Sequence, residues 1–235
     1  MSFEGPTEKE NNCIVRCLRE RKKFEKSADS VGNDMKAHRK LSSDYSQKIQ
    51  RWLKDKKLDP AFSSTMLALY NNEFENIKKN INLIETVEKM KGKPSPGFKF
   101  ENYDGSISTL ENFKGRYVLI DVWATWCGPC MYQLPYLEKL QEQFKDKNIA
   151  FLSISLDKKK HKDKWKKFIA SHNLKGAQLL ADKDFRSSFA KDYSIKSIPR
   201  FILLDPDGIV IDAKTPQPSN PELSARLEIL LKDAQ

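Results

Sequence analysis

The sequence has few cysteines and no long apolar run. Four cysteines in 235 residues are too few for the disulfide framework that stabilises small secreted domains. The longest apolar run, MLALY at residues 66 to 70, is far shorter than the roughly 20 residues that cross a bilayer, so we expect no membrane-spanning protein. The first twelve residues, MSFEGPTEKENN, also lack the charged and then apolar layout of a secretory signal peptide. These features alone favour a protein that is not exported.

Basic residues exceed acidic ones by 42 to 32, but the excess is not concentrated in one region. It amounts to five charges in residues 1 to 92 and five in residues 93 to 235. No nucleic-acid-binding motif accompanies it, and we expect no nucleic-acid partner. The one dense stretch is KKKHKDKWKK at residues 158 to 167, which we interpret as a helix with a solvated lysine face. A docking patch for an acidic partner is the alternative interpretation.

Proline and glycine divide the chain near residue 92. Only one proline and one glycine fall between residues 8 and 90, whereas four cluster in KGKPSPGF at residues 91 to 98, which we interpret as a linker. Upstream of it, apolar residues recur at steps of three and four, which predicts a long amphipathic helix preceded by a shorter one. We therefore expect three parts: a loosely ordered tail over 1–43, an α-helical region over 44–92, and a separate domain over 93–235.

Downstream of the proposed linker, short apolar runs alternate with helical patterns, which is typical of an α/β fold. The run YVLIDVWA at residues 117 to 124 is almost continuously apolar, as a central strand covered on both faces must be. The other expected elements are a hairpin around Asp104-Gly105, helices over 129–144, 185–193 and 223–231, and strands over 149–156, 178–181, 201–204 and 209–211.

The motif Trp126-Cys127-Gly128-Pro129-Cys130 follows the expected central strand and opens a helix. The amino terminus of a helix carries unsatisfied N–H groups and partial positive charge, which favour ionisation of a cysteine placed there. Cys127 is therefore the expected nucleophile. Cys130 falls in the first helical turn, where it can resolve a mixed disulfide on Cys127. Pro129 suits that turn and Gly128 leaves the first sulfur uncrowded.

A CxxC pair can also be a structural disulfide or half of a zinc site. Zinc would need two more ligands, and no histidine has matching spacing. We therefore favour redox chemistry and expect no metal and no cofactor. Cys13 and Cys17 lie four residues apart, which is not a redox spacing. We interpret them as small apolar residues of a helix, with oxidation or pairing between chains as the alternative.

The segment VLIDVWATWCGPC, with Pro135 five residues after the second cysteine, resembles thioredoxin-fold proteins. The resemblance covers about 140 residues, from Gly97 onward. ENFKGR, QLLADKDF and SIPRFILLDPDG make it similar to the TlpA-like branch of extracytoplasmic thiol-disulfide reductases. It implies a thioredoxin-like fold, in which helices flank a mixed β-sheet. This domain follows the α-helical amino-terminal region in the sequence.

The resemblance also implies roles for further residues. Ile198-Pro199 would form a cis peptide facing the cysteines, and the backbone of Ile198 would pair with a bound substrate strand. Asp121 matches the buried acid of thioredoxins, which relays a proton to the resolving cysteine; a carboxylate held only by backbone donors is the alternative. TlpA-like proteins often have Asn at this strand position and an acid three residues after the second cysteine, where this chain has Gln133.

The sequence thus predicts a thiol-disulfide oxidoreductase, with Trp126, Gly128, Pro129, Ile198 and Pro199 contacting the substrate. The Gly-Pro dipeptide between the cysteines, shared with thioredoxin, favours reduction. The expected partners are disulfide-containing protein substrates and an upstream thiol electron donor. The resemblance implies that the protein is located in the periplasm or cell envelope. A cytoplasmic location, which the amino terminus favours, is the alternative. A partner-binding or chaperone module that uses the helical region, with the thioredoxin-like domain as scaffold, is the alternative function.

Overall fold

The computed structural model describes residues 8–31, 34–55 and 57–232. The chain divides into two compact units, one ending at Glu85 and the other beginning at Thr86. Within the described ranges, no helix combines the length and the apolar character needed to cross a membrane.

The first unit is helical. Asp34 caps the second helix, since its carboxylate accepts hydrogen bonds from the backbone N–H groups of Lys36 and Ala37 at 2.9 and 3.0 Å. Pro60 begins the third helix, where its missing N–H leaves no hydrogen bond unmade. The helices are α1 (Glu8–Ser30), α2 (Met35–Leu53) and α3 (Pro60–Met90).

The sequence predicts a loosely ordered tail over residues 1 to 43, of which residues 1 to 7, 32 and 33 lie outside the described ranges; the described part differs from that prediction. Residues 8 to 30 form a helix, and α2 begins at Met35, nine residues before the start of the helical region expected over 44–92. Cys13 and Cys17 of α1 are buried with Tyr45 and Phe74 in one cluster, whereas Val15 and Leu18 of the same helix are exposed. Burial raises the pKa of the Cys17 thiol to about 12, which keeps it protonated and unreactive at neutral pH.

The second unit is a mixed sheet flanked by helices, as expected. Its strand order is β2-β1-β5-β4-β3-β6-β7, in which β3, β4 and β5 are parallel and the remaining pairings are antiparallel. The strands are β1 (Lys99–Asn102), β2 (Ile107–Thr109), β3 (Tyr117–Trp123), β4 (Ile149–Ser155), β5 (Ala177–Leu180), β6 (Arg200–Leu204) and β7 (Val210–Thr215). The helices are α4 (Gly128–Gln143), α5 (Lys162–Ser171), α6 (Ser188–Asp192) and α7 (Pro221–Lys232).

Strand β3 is covered on both faces, which explains its apolar sequence. On one face, Leu119 packs in a cluster with residues of α4 and α7, and Trp123 packs in a second cluster that contains both CxxC cysteines. Alternation along the strand puts Asp121 on the same face, between these two residues. Asp121 is paired in register with Ser153 of β4 and with Phe201 of β6.

The proline-rich segment at residues 92 to 95 differs from the expected linker, because it pairs with β7. The N–H of Gly92 donates to the carbonyl of Val210 at 2.8 Å, and the N–H of Ser95 donates to the carbonyl of Gly208 at 2.9 Å. The Ser95 hydroxyl also lies 2.6 Å from that of the fully buried Tyr193. The segment therefore covers the edge of the sheet where β7 begins, and proline is tolerated there because only one side of the segment needs donors.

Candidate active site

The two cysteines of the CxxC motif are joined as a disulfide at the amino terminus of α4. Cys127 is the residue that caps the helix, with an extended backbone, and its Sγ accepts a hydrogen bond from the N–H of Cys130 at 3.2 Å. Pro129 lies in the first turn, where helix amides have no partner within the helix. The same N–H groups and the helix dipole would stabilise a thiolate on Cys127 in the reduced protein.

The loop before Cys127 is anchored by a buried carboxylate. Asp157 is fully buried at the end of β4 and accepts hydrogen bonds from the backbone N–H of Thr125 at 2.8 Å and from its hydroxyl at 2.9 Å. The hydroxyl of Ser155 donates to the same carboxylate at 2.8 Å. A carboxylate held by three donors fixes its neighbours, so the backbone two residues before Cys127 has a defined position.

Trp126 projects from this loop and is 57% exposed, whereas Cys127 and Cys130 are 5% and 2% exposed. Its ring lies 6.3 Å from that of Phe185. A Cβ atom added at Gly128 would meet no heavy atom within 4 Å, so the surface beside the disulfide is open. Trp126 and Phe185 thus present aromatic surface next to a nearly buried disulfide, which suits a polypeptide that approaches from that side.

Asp121 is buried in β3 and faces a cavity of about 370 Å³ that Met131 of α4 also lines. Burial raises the pKa of this carboxyl to about 7. The cavity also borders Ser153 and Gln178, and the Oε1 atom of Gln178 is buried without a hydrogen-bond partner among the described residues. Most of the cavity wall is apolar, but Asp121, Ser153 and Gln178 give it polar groups to which water can bind, as a buried proton carrier needs.

The Ile198–Pro199 peptide bond is cis, and Pro199 directly precedes β6. The side chain of Ile198 packs against the cluster that contains Cys127 and Cys130. Of the residues that the sequence analysis selected, the structure thus gathers Trp126 to Cys130 and Ile198 in one neighbourhood.

Gln133 replaces the acid of the TlpA-like pattern and is fully engaged elsewhere. Its side-chain amide donates to Gln217 at 2.8 Å and to Ser219 at 3.1 Å, and its carbonyl oxygen accepts from the N–H of Ser219 at 3.0 Å. It holds the segment before α7 against α4, and an amide with no ionisable proton cannot perform acid-base chemistry.

Sequence reasoning did not identify Asp157 or Phe185 as neighbours of the CxxC motif. A signal for Asp157 was available, because parallel strands end at the same edge of a sheet and β3 and β4 pair in parallel. Phe185 had no such signal, since it lies in a short 3-10 helix at Asp184–Arg186 that reaches Trp126 only through the tertiary fold. As for a metal, no group of three or more His, Cys, Asp or Glu side chains in the described part of the chain could hold one.

Comparison with known proteins agrees with this geometry. The family model described as Redoxin matches residues 90–228. Thioredoxin-like protein YneN of Bacillus subtilis is 29% identical over 153 residues, which cover 63% of this chain and 88% of YneN. The thiol-disulfide oxidoreductase ResA of Bacillus thuringiensis is 33% identical over 125 residues, 53% of this chain and 69% of ResA.

A solved structure described as a putative thiol-disulfide oxidoreductase from Bacteroides vulgatus superimposes with a TM-score of 0.53 at 42% identity, covering 59% of this chain and 90% of the other. The helix-capping disulfide, the mixed sheet and these relatives agree on one assignment. The chain belongs to the Redoxin family and is a thioredoxin-like thiol-disulfide oxidoreductase of the TlpA-like branch.

Proposed function

We propose that this protein reduces disulfide bonds in protein substrates, with Cys127 as nucleophile and Cys130 as resolving cysteine. The observation that carries the proposal is the position of Cys127 at the cap of α4, where its Sγ accepts the N–H of Cys130. The thiolate of Cys127 is thereby favoured over the thiolate of Cys130, which lies deeper in the first turn.

The reaction takes place in two exchanges. The Cys127 thiolate attacks one substrate sulfur, forming a mixed disulfide and releasing the other substrate sulfur as a thiol after it takes up a proton. Cys130 loses its proton and attacks Cys127, which releases the second substrate thiol and forms the intramolecular disulfide. Two electrons and two protons pass to the substrate, and an upstream dithiol donor must return them to the protein.

Asp121 is proposed to carry the proton of Cys130. A carboxyl with a pKa of about 7 exchanges protons near neutral pH, and the cavity beside it adjoins Met131, the residue after Cys130. Trp126, Gly128, Pro129, Ile198 and Pro199 are proposed to contact the substrate polypeptide, with the Ile198 backbone pairing with an extended substrate strand. The resemblance to the TlpA-like branch supports action in the periplasm or cell envelope.

Insulin reduction by the protein, with dithiothreitol as donor, tests the proposal. We expect turnover well above the uncatalysed rate, loss of turnover in Cys127→Ser, and a trapped mixed disulfide in Cys130→Ser. Cys13→Ala removes a thiol from the helical unit and serves as the matched control, which we expect to retain full turnover. Full activity of Cys127→Ser would contradict the proposal.

The reduction potential of the Cys127–Cys130 pair tests whether the protein reduces or oxidises its substrates. We expect a value nearer that of thioredoxin, about −270 mV, than that of DsbA, about −120 mV, because the Gly-Pro dipeptide is the one that thioredoxin has. Equilibration with glutathione or dithiothreitol measures it. A value near that of DsbA would reverse the assignment to an oxidase.

A further inference from the structure

A basic groove lies directly beside the CxxC motif. Lys158, Lys160 and His161 line an open cavity of about 400 Å³ together with the aromatic side chains of Trp126 and Phe185. Trp126 is the residue before Cys127, so the groove begins next to the nucleophile. We call this cavity the basic groove.

The fold holds the basic residues of the groove in place. Lys158 directly follows Asp157, which is fully buried and bonded to both polar groups of Thr125. The single helical turn at Lys159–His161 then brings Lys160 and His161 to the same cavity. The carboxylate that fixes the loop before Cys127 therefore also fixes the start of the basic segment.

Among the residues that the structure describes, no carboxylate neutralises the two lysines of the groove. Across the described residues, neither Lys158 nor Lys160 forms an ion pair, whereas Lys162, just outside the groove, pairs with Glu101. The one carboxylate that lines the groove, that of Asp184, is 3.2 Å from the guanidinium of Arg186 and is paired with it. The groove thus presents two free ammonium groups beside an exposed indole ring.

We propose that the basic groove binds an acidic side chain, Asp or Glu, that flanks the reacting cysteine of the substrate polypeptide. The inference rests on the proposed function and specifies its substrate class. Trp126 would pack against the substrate chain while Lys158 and Lys160 attract the carboxylate, which raises the rate of productive encounter. Substrates with acidic residues beside their disulfide are then reduced faster than neutral ones.

Single-turnover reduction of two model peptides by the pre-reduced, full-length protein tests this. Each peptide carries one disulfide whose cleavage releases a fluorophore, and the two differ only in having Glu or Gln on both sides of the reacting cysteine. We expect the second-order rate constant for the Glu peptide to exceed that for the Gln peptide about fivefold at about 0.1 M salt. The ratio should approach one at about 1 M salt, where the Debye length falls from about 10 Å to about 3 Å.

Charge variants test whether the groove causes the preference for the Glu peptide. In Lys158→Gln/Lys160→Gln we expect the ratio of the two rate constants to fall to about one. Lys164→Gln/Lys167→Gln makes the same change in net charge at exposed positions of α5 that do not line the groove, and it should keep the ratio of the unmodified protein.

Three results would overturn the inference. A ratio of one for the unmodified protein, with the Gln peptide reduced normally, would exclude the groove as an acidic-residue site and leave the proposed reductase function intact. An equal loss of preference in both double variants would assign the effect to net charge rather than to the groove. Failure to reduce either peptide would overturn the proposed function and the inference with it.

Discussion

At the residue scale, Asp121 is a carboxyl group placed in an otherwise apolar strand. No ion pair compensates it within the described ranges, and burial raises its pKa to about 7. Between the ordinary pKa of 3.8 and this value, the folded protein binds a proton that the unfolded chain does not. The free energy of unfolding must therefore fall as the pH rises from 4 to 7.

Asp121→Asn should remove this part of the pH dependence. Because the carboxyl can no longer ionise, we expect the stability of the variant relative to the unmodified protein to increase by about 4 kcal/mol between pH 4 and pH 8. Urea unfolding of the oxidised proteins at both pH values measures it. Asp163→Asn, at an exposed position of α5, controls for the loss of one negative charge. Parallel pH profiles for the unmodified protein and Asp121→Asn would contradict the prediction.

At the element scale, the segment at residues 92 to 95 behaves as part of the sheet although its composition is that of a linker. Its backbone hydrogen bonds to β7 and the contact between Ser95 and Tyr193 attach it to the second unit. A substitution that removes these hydrogen bonds shows whether the segment stabilises the sheet or is only a flexible linker.

Ser95→Pro should destabilise the protein by about 2 kcal/mol, since it removes the backbone donor to Gly208 and the hydroxyl contact with Tyr193, each worth about 1 kcal/mol. Ser95→Ala keeps the N–H and should cost about half as much. Urea unfolding followed by tryptophan fluorescence measures both variants. In a free linker, proline would be neutral or stabilising because it restricts the unfolded chain, and that outcome would contradict the edge role.

At the scale of the whole molecule, the second unit contains both the CxxC motif and hydrophobic clusters of its own. The clusters around Leu119 and Trp123 consist of residues after Thr86, and the Bacteroides vulgatus structure is covered over 90% of its length by 59% of this chain. The domain limit at residue 92 that the sequence predicts stays a prediction, while the contact pattern divides the chain at residue 86.

A fragment over 86–235 should fold and reduce insulin with a kcat/KM within about twofold of the full chain, because an autonomous domain has its own hydrophobic core. Circular dichroism and the insulin assay measure both properties. An unfolded fragment would show that the helices contribute to the core of the second unit. A folded fragment with lost turnover would assign the helical unit a role in substrate binding, as the alternative function requires.

The sequence by itself determined the features that depend on neighbouring residues. The alternation of apolar runs fixed the order of strands and helices, and the position of CGPC after a buried strand fixed the helix-capping cysteine. Element ends were less well determined: the helix expected over 185–193 begins only at Ser188, because the Ser187 hydroxyl accepts the N–H of Ala190 and caps it there.

Only the tertiary structure decided the contacts between distant segments. Asp157 and Thr125 are 32 positions apart, and Gln133 and Ser219 are 86 apart, so no local pattern could pair them. The same holds for α1. Its few apolar groups form a buried cluster only because α2 and α3 supply aromatic side chains that pack against them. Periodicity shows which face of an element is buried. The side chains that pack against that face come from distant segments, and only the tertiary fold determines which segments those are.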